Sequence, residues 1–150
     1  MTEGKKSGFA ELAKESSLYP QEKLMKVKSG SKSLNISIPR EISYQESRIG
    51  LTPAATGILV NNGQEVLVEQ DAGKKTFFLD NDFSEQGAKI IYSNKEAFEA
   101  NIIVKVEPPT LKEIALMKPG STVFSALQLG NSSSEYFEAL NRKKNYGHWL

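Results

Sequence analysis

A short connection between two predicted elements carries four charged side chains, more than a simple turn needs. It reads PREISYQESRIGLTP over residues 39–53 and includes Arg40, Glu41, Glu46 and Arg48. The planar guanidinium of Arg48 could donate two parallel hydrogen bonds to a substrate carboxylate or phosphate. The alternative is an internal salt bridge with Glu41 or Glu46, which we favour on the residues alone because neighbouring loop charges usually pair.

Other residues that could do chemistry have simpler explanations. The stretch DAGKKTF at 71–77 has one glycine and two lysines, but it lacks the glycine spacing of a phosphate-binding loop, so we expect an exposed turn. The serines at 132–134 have no nearby histidine base, and helix capping explains them. His148 lies near the end of the chain, where loose packing is expected. No Gly-x-Gly-x-x-Gly or Walker-type loop follows any predicted strand.

Composition narrows the class of protein. The chain has 150 residues, of which 39% are hydrophobic and 25% charged, as in a globular domain. The net charge of +1 favours neither nucleic acid nor an anionic membrane as partner. No cysteine and a single histidine argue against a metal site, and the lack of cysteine suits the cytoplasm. No apolar run is long enough for direct membrane insertion, and we expect a cytoplasmic protein.

The first 33 residues differ from the remainder. GFAELAKES and PQEKLMKVK each have the pattern of a short amphipathic helix, and the polar linker SGSKS follows them. We therefore predict a helical N-terminal extension and linker over residues 1–33, packed outside the main domain.

From residue 34 onward, short strands alternate with helices. The strands are rich in Val and Ile, and several are apolar at consecutive positions, as strands covered on both faces are. This alternation predicts a three-layer α/β fold with a mainly parallel sheet of five strands. The predicted strands are Leu34–Ile38, Glu65–Glu69, Lys89–Tyr92, Ile102–Val106 and Thr122–Leu127.

Capping signals mark where the helices begin. Thr52 followed by Pro53 predicts a helix over about residues 53–62, which Asn62 and Gly63 end. SNKE at 93–96, TLKE at 110–113 and SSSE at 132–135 each place Ser or Thr three residues before Glu, the pattern of a capping box. Each precedes an apolar helical pattern. In such a sheet, ligands bind beyond the carboxyl ends of the strands, where residues 39–53 are expected to lie.

Several motifs over residues 35–144 occur in the order found in one enzyme family. They are ISIPREISYQESRIGLTP, VEQDAG, QGAKI, IIVKV and LMKPG. Together they resemble the N-terminal domain shared by alanine dehydrogenases and the alpha subunit of proton-translocating nicotinamide nucleotide transhydrogenase. The resemblance implies a Rossmann-like or flavodoxin-like half domain over residues 34–144, followed by a divergent C-terminal tail at 145–150.

The resemblance also implies roles for individual residues. In alanine dehydrogenases the arginine matching Arg48 binds the substrate carboxylate, and a lysine at the position of Glu107 also holds the substrate. Lys105 lies two residues earlier, on the same face by strand alternation, and is a poor substitute. The family's catalytic histidine falls at Gln128, which cannot exchange a proton near neutral pH. No residue is therefore assigned a confident catalytic role.

These departures make the chain resemble the transhydrogenase branch, which binds NAD(H) and passes hydride between nicotinamide nucleotides, NAD and NADP. The resemblance implies an oxidoreductase that is truncated and inactive alone, because the NAD-binding domain is missing. The alternatives are the N-terminal part of an NAD-dependent L-alanine dehydrogenase and a non-catalytic remnant or interaction module. The implied partners are a nicotinamide nucleotide held by the missing domain, a second copy of the chain, or a membrane-embedded transhydrogenase subunit.

Overall fold

The computed structural model of the protein describes residues 34–126 and 133–143, together with the backbone of 146–149. The predicted extension at 1–33 and the position of Gln128 lie outside the described residues, and what we expect of them stays a prediction. None of the helices in the described ranges has the length and apolar content needed to cross a bilayer.

The described strands form one parallel sheet, as the alternation of strands and helices predicted. Its order is β3-β2-β1-β4-β5-β6, and every neighbouring pair is parallel. The first five strands match the predicted ones to within a few residues at their ends. The strands are β1 Asn35–Ile38, β2 Glu65–Glu69, β3 Lys89–Ile91, β4 Ile102–Val104, β5 Thr122–Ser125 and β6 Tyr146–Trp149.

Two details of the sheet differ from the prediction. The sixth strand, β6, pairs with β5 within the range 145–150 that we expected to be a divergent tail containing a loose terminus. In addition, β4 ends at Val104, and bends at Val106 and Glu107 follow it. The side-chain alternation assumed for Lys105 and Glu107 therefore does not hold, because it requires extended backbone.

Helices follow the strands, and their starts show the local interactions that fix them. They are α1 Pro53–Asn61, α2 Asp80–Glu85, α3 Asn94–Phe98, α4 Leu111–Leu116 and α5 Ser134–Arg142, with a 3-10 turn at Lys74–Thr76. The Thr52 side chain accepts from Ala55 N at 3.3 Å, and Gly63 is left-handed with φ of 81°, as predicted. Helix α2 was not predicted.

The predicted capping boxes have different outcomes. Thr110 and Glu113 form one, since each side chain accepts from the other's backbone N–H, at 3.3 Å and 2.6 Å. The Ser93 side chain makes no capping hydrogen bond, so that prediction was wrong. The third helix start lies one residue later than predicted, with the Ser133 side chain accepting from Tyr136 N.

Two apolar clusters cover the two faces of the sheet. Leu67, Ile103 and Val123 share one face by strand register, and they pack with residues of α3, α4 and α5. Ile38 and Val68 lie on the opposite face, in a cluster with residues of α1 and α2. The described domain therefore has three layers, and the sheet is buried on both faces.

The strand order places a switch point beside β1. The chain runs outward from β1 to β2 and β3, and then returns to add β4 on the other side of β1. The connections that leave the carboxyl ends of β1 and β4 therefore run to opposite sides and leave a gap between them. In open α/β sheets this is where a ligand site is expected.

Candidate functional site

A cleft of about 200 Å³ lies at the carboxyl ends of β1 and β2. One wall is the loop from 39 to 50, which we name the cleft loop, and the other is the connection after β2. The cleft has four basic and three acidic side chains in its lining. The lining residues are Arg40, Glu41, Glu46, Arg48, Asp71, Ala72, Lys74 and Lys75.

Arg48 is held in the cleft loop by Glu46. Its Nε donates to Glu46 Oε1 at 2.9 Å, its Nη2 donates to Oε2 at 2.7 Å, and its backbone N–H also donates to Oε1 at 2.8 Å. The hydrogen bonds from Arg48 lower the pKa of Glu46 to about 2. The internal salt bridge favoured from the residues is confirmed for Glu46, and the Arg48 side chain is still 72% exposed.

The lysines of DAGKKTF are used within the protein. Lys74 Nζ lies 3.6 Å from Asp71 Oδ1, whereas Lys75 Nζ donates to the carbonyls of Ser43 at 2.6 Å and Glu46 at 3.0 Å. Lys75 therefore joins the two walls of the cleft through two backbone oxygens of the cleft loop. This arrangement agrees with the turn that the sequence favoured over a phosphate loop.

Lys105 lies in a buried ion cluster instead of facing the cleft. Its side chain is only 2% exposed, and its Nζ contacts Glu113 Oε1 at 2.8 Å and Glu41 Oε2 at 3.6 Å. The Phe98 ring lies under the ammonium group, 5.8 Å away at its centroid. The cluster joins the cleft loop, the end of β4 and helix α4, so this lysine acts as a structural counter-ion.

Glu41 connects the two sides of the switch point. Its Oε1 accepts from Val106 N at 2.6 Å, but its Oε2 is buried without a hydrogen-bond partner. Burial is the main cause of the raised pKa of Glu41, and the hydrogen bond from Val106 and the charge of Lys105 oppose it. Glu107 has two opposing effects, since its backbone N–H lowers the pKa of Glu41 and its charge, a smaller effect, raises it.

Glu107 occupies the position where the resemblance places a substrate lysine. It lies close enough to the cleft loop for its charge to raise the pKa of Arg48, after the larger effect of Glu46. The arginine is therefore paired with the carboxylate of Glu46, and the charge of Glu107 has a smaller effect on it. A second cation at this point, which would help to hold a substrate carboxylate, is replaced by an anion.

Gly50 allows the cleft loop to approach β4 closely. A Cβ atom at this position would lie 2.8 Å from the Val104 carbonyl oxygen, closer than real Cβ contacts. The loop therefore contacts β4 through Gly50, and it contacts the residues just after β4 through the carboxylate of Glu41. Both contacts fix the placement of Glu46 and Arg48, which lie between them in the chain.

Sequence reasoning did not foresee the ion cluster of Glu41, Lys105 and Glu113. One signal was present, because Lys105 interrupts the otherwise apolar run IIVKV, and a lysine in a strand covered on both faces needs a counter-ion. The identity of that counter-ion is set by tertiary contacts across 64 and 8 positions of the chain, which the sequence pattern does not contain.

The cleft beside Arg48 does not fit a nicotinamide dinucleotide. The cleft volume is below the roughly 300–1,000 Å³ of pockets that bury drug-sized ligands. Within the described ranges no phosphate-binding turn follows a strand, and no group of three or more His, Cys, Asp or Glu could hold a metal ion. The cleft therefore has room for a small molecule.

Comparison with known proteins gives a consistent result. Residues 37–147 match the family model described as alanine dehydrogenase/PNT, N-terminal domain. Alanine dehydrogenase 2 of Staphylococcus aureus strain Mu50 is 36% identical over 110 residues, which are 73% of this chain and 30% of that protein. The chain therefore spans about a third or less of the length of the relatives that it matches.

Two solved structures have the same fold as the described domain. An L-alanine dehydrogenase superposes with a TM-score of 0.74 at 34% identity, over 77% of this chain and 32% of the other. A transhydrogenase from Sinorhizobium meliloti gives a TM-score of 0.70 at 24% identity, over 77% and 34%. On the match to residues 37–147, the chain belongs to the alanine dehydrogenase/PNT N-terminal domain family.

Proposed function

We propose that this chain forms the substrate-side cleft of an NAD(P)-dependent oxidoreductase of the transhydrogenase type. It would take part in hydride transfer between nicotinamide nucleotides only together with a dinucleotide-binding part, which these 150 residues do not supply. The observation that carries the proposal is the burial of Lys105 between Glu41 and Glu113.

The burial of Lys105 bears on alanine oxidation because a substrate carboxylate must be held firmly for the amino group to be oxidised. In the alanine dehydrogenases that the sequence resembles, an arginine and a lysine share this task. Here Lys105 is neutralised inside the protein, and the lysine position carries Glu107. An amino acid carboxylate beside Arg48 would meet the carboxylate of Glu46 at close range, and the charge of Glu107 would add to the repulsion.

The proton-transfer group gives a second argument. The position of the family's histidine carries Gln128, and an amide cannot accept or release a proton near neutral pH. Hydride transfer between two nicotinamide rings needs no such group on the protein, because the cofactors carry the chemistry. A chain that lacks both residue types at these positions is therefore better suited to an enzyme that passes hydride between two nucleotides held by other parts of the protein.

Alanine dehydrogenase is the second candidate, and a specific observation favours it. The S. aureus relative named alanine dehydrogenase 2 is 36% identical to this chain, whereas the solved transhydrogenase is 24% identical. If this alternative holds, Arg48 would bind the substrate carboxylate after release from Glu46, and another group would replace the lysine and the histidine.

A hybrid enzyme separates the two candidates. The family domain of this chain would replace the matching segment of the S. aureus alanine dehydrogenase, and NADH fluorescence would confirm that the hybrid is folded and binds nucleotide. We expect no alanine-dependent reduction of NAD. Hydride transfer from NADH to an oxidised NAD analogue is expected when a second nucleotide-binding part is added to hold that analogue. Alanine oxidation by the unsubstituted hybrid would contradict the proposal and favour the second candidate.

A matched variant keeps the hybrid test interpretable. Glu107→Lys together with Gln128→His restores the two residue types that the family uses. This variant should gain alanine oxidation, since general acid/base catalysis alone is worth about 10²–10⁴-fold in rate. A folded, NADH-binding hybrid without turnover of either kind would instead favour a non-catalytic interaction module.

A further inference from the structure

A buried cluster with two carboxylates and one ammonium lies behind the cleft. Lys105 makes its short contact with Glu113, at 2.8 Å, and its long contact with Glu41, at 3.6 Å. Glu113 Oε2 also accepts from Thr110 N at 2.6 Å. The charge of Lys105 therefore compensates Glu113 first, and Glu41 is the member of the cluster that is best placed to take up a proton.

Glu41 lies where a change in its protonation would affect the cleft. Its Oε1 accepts from Val106 N across the switch point, and its Oε2 is buried with no hydrogen-bond partner. The same side chain is part of the cleft lining. A change of charge on Glu41 therefore acts on the contact between the cleft loop and the end of β4, and Glu46 and Arg48 follow a few residues later in that loop.

We propose that Glu41 and Lys105 are positioning residues that form a proton-sensitive tether between the cleft loop and β4, and that this tether sets the placement of Arg48. With Glu41 ionised, its carboxylate is attracted to Lys105 and holds the loop inward. When Glu41 takes up a proton, the attraction is lost, Lys105 remains with Glu113, and the loop is held by the Val106 hydrogen bond and the Gly50 contact. The tether is the same for either enzyme class.

Other charged groups surround the tether from several elements. Burial is the largest cause of the raised pKa of Glu41, and the charge of Glu107, after β4, adds a small effect in the same direction, which the Glu107 backbone N–H opposes. On α5, burial and, to a smaller extent, the charge of Glu113 raise the pKa of Tyr136 to about 12, so the phenol stays neutral. The remaining charged groups that line the same cleft are Arg40, Glu46, Arg48, Asp71, Lys74 and Lys75.

Nuclear magnetic resonance of the full chain tests the tether directly. The Val106 amide and the Arg48 Nε–H resonances would be followed against pH, with the side-chain carboxyl carbon of Glu41 as the direct reporter of its protonation. We expect all three to share one inflection above the ordinary pKa of a glutamate. The Arg48 resonance should show a separate inflection near pH 2, from Glu46.

Two variants test whether the shared inflection comes from Glu41. Glu41→Gln should abolish the shared inflection at Val106 and Arg48. Glu69→Gln is the matched control, because Glu69 is also a buried carboxylate that accepts from the cleft loop, at Arg40 N, but it has no contact with Lys105. The inflection should persist in that control.

Several results would overturn the tether. The proposal is contradicted if the shared inflection survives in Glu41→Gln or disappears in Glu107→Gln. Independent titration of the Val106 and Arg48 resonances would contradict it as well. If the Glu41→Gln variant does not fold, the titration of the Glu41 carboxyl carbon in the wild-type chain tests the proposal by itself. A Glu41 inflection that Arg48 does not follow would then contradict the proposal.

Discussion

Arg48 and Glu46 lie two residues apart and are joined by two parallel side-chain hydrogen bonds of 2.9 Å and 2.7 Å. The guanidinium that would bind a ligand carboxylate is thus already bound to a carboxylate of its own loop. A ligand must compete with Glu46 or use the remaining donors of Arg48.

The Glu46 carboxylate should contribute to stability in a pH-dependent manner. Its pKa is lowered from 4.5 to about 2, so the contribution is fully present above pH 4.5 and is lost as the pH falls towards 2. Chemical denaturation of wild type and Glu46→Gln should show a lower unfolding midpoint for the variant at pH 7, and the difference should shrink by pH 3. Glu85→Gln, at an exposed site, is the control. An equal difference at both pH values would contradict the prediction.

Removing the ammonium of Lys105 should be strongly destabilising. Lys105→Met keeps the length of the side chain but leaves Glu41 and Glu113 buried without a cation. Breaking a buried ion pair in this way typically costs about 3–5 kcal/mol. Lys112→Met, at an exposed position of α4, should stay within about 0.5 kcal/mol of wild type in urea denaturation. A cost below about 1 kcal/mol for Lys105→Met would show that the cluster is not a structural counter-ion site.

The effect of Glu41→Gln on stability should have the opposite pH dependence to that of Glu46→Gln. A raised pKa means that the folded state holds the proton more tightly, so stability is highest below the ordinary glutamate pKa and is lost as the pH rises through the folded pKa. The variant, which cannot ionise, should therefore match or exceed the wild-type unfolding midpoint at pH 7.5. Its advantage should disappear towards pH 4. A variant that is less stable at pH 7.5 and recovers at low pH would contradict this sign.

Gly50 and Gly57 each lie so close to another group that an added Cβ would be crowded, so alanine variants of the two can be compared. Gly50→Ala would place a Cβ against the Val104 carbonyl oxygen, which is backbone and cannot move aside, and overpacking typically costs about 1–3 kcal/mol. Gly57→Ala would meet the end of the exposed Gln86 side chain, which can rotate away, and the helix gains up to about 1 kcal/mol from alanine. Thermal unfolding should therefore separate the two variants. Equal effects would mean that the cleft loop does not press on β4.

Much of the fold could be predicted from local signals. The alternation of apolar strands with capped helices gave the parallel sheet, and the pairs Thr52–Pro53 and Thr110–Glu113 gave two helix starts, because these signals act within four residues. Helix α2 was missed because its start depends on Asp82 accepting from Leu79 N, without a Ser or Thr at the cap. Strand β6 was missed because YGHW is not an apolar run, and its place is given by pairing with β5.

The candidate site was less predictable than the fold. The residues in the cleft loop indicated that Arg48 pairs with a neighbour, and the structure identifies Glu46. The buried role of Lys105 depends on its contacts with Glu41 and Glu113, and the bends at Val106 and Glu107 end the alternation that was expected to relate Lys105 to Glu107. Partners that lie far apart in the chain, such as Glu41 and Lys105, are set by packing and not by spacing.

These 150 residues are expected to form a cleft but not to bind a nicotinamide nucleotide by themselves. Titration of the purified chain with NADH tests this central claim most directly. Isothermal calorimetry should give no saturable binding, and a spectrophotometric assay with alanine and NAD should give no turnover, because the sequence has no Gly-x-Gly-x-x-Gly motif to hold the phosphates of the dinucleotide. Binding of NADH at micromolar concentration, with or without alanine turnover, would show that the chain contains a cofactor site and would contradict the account.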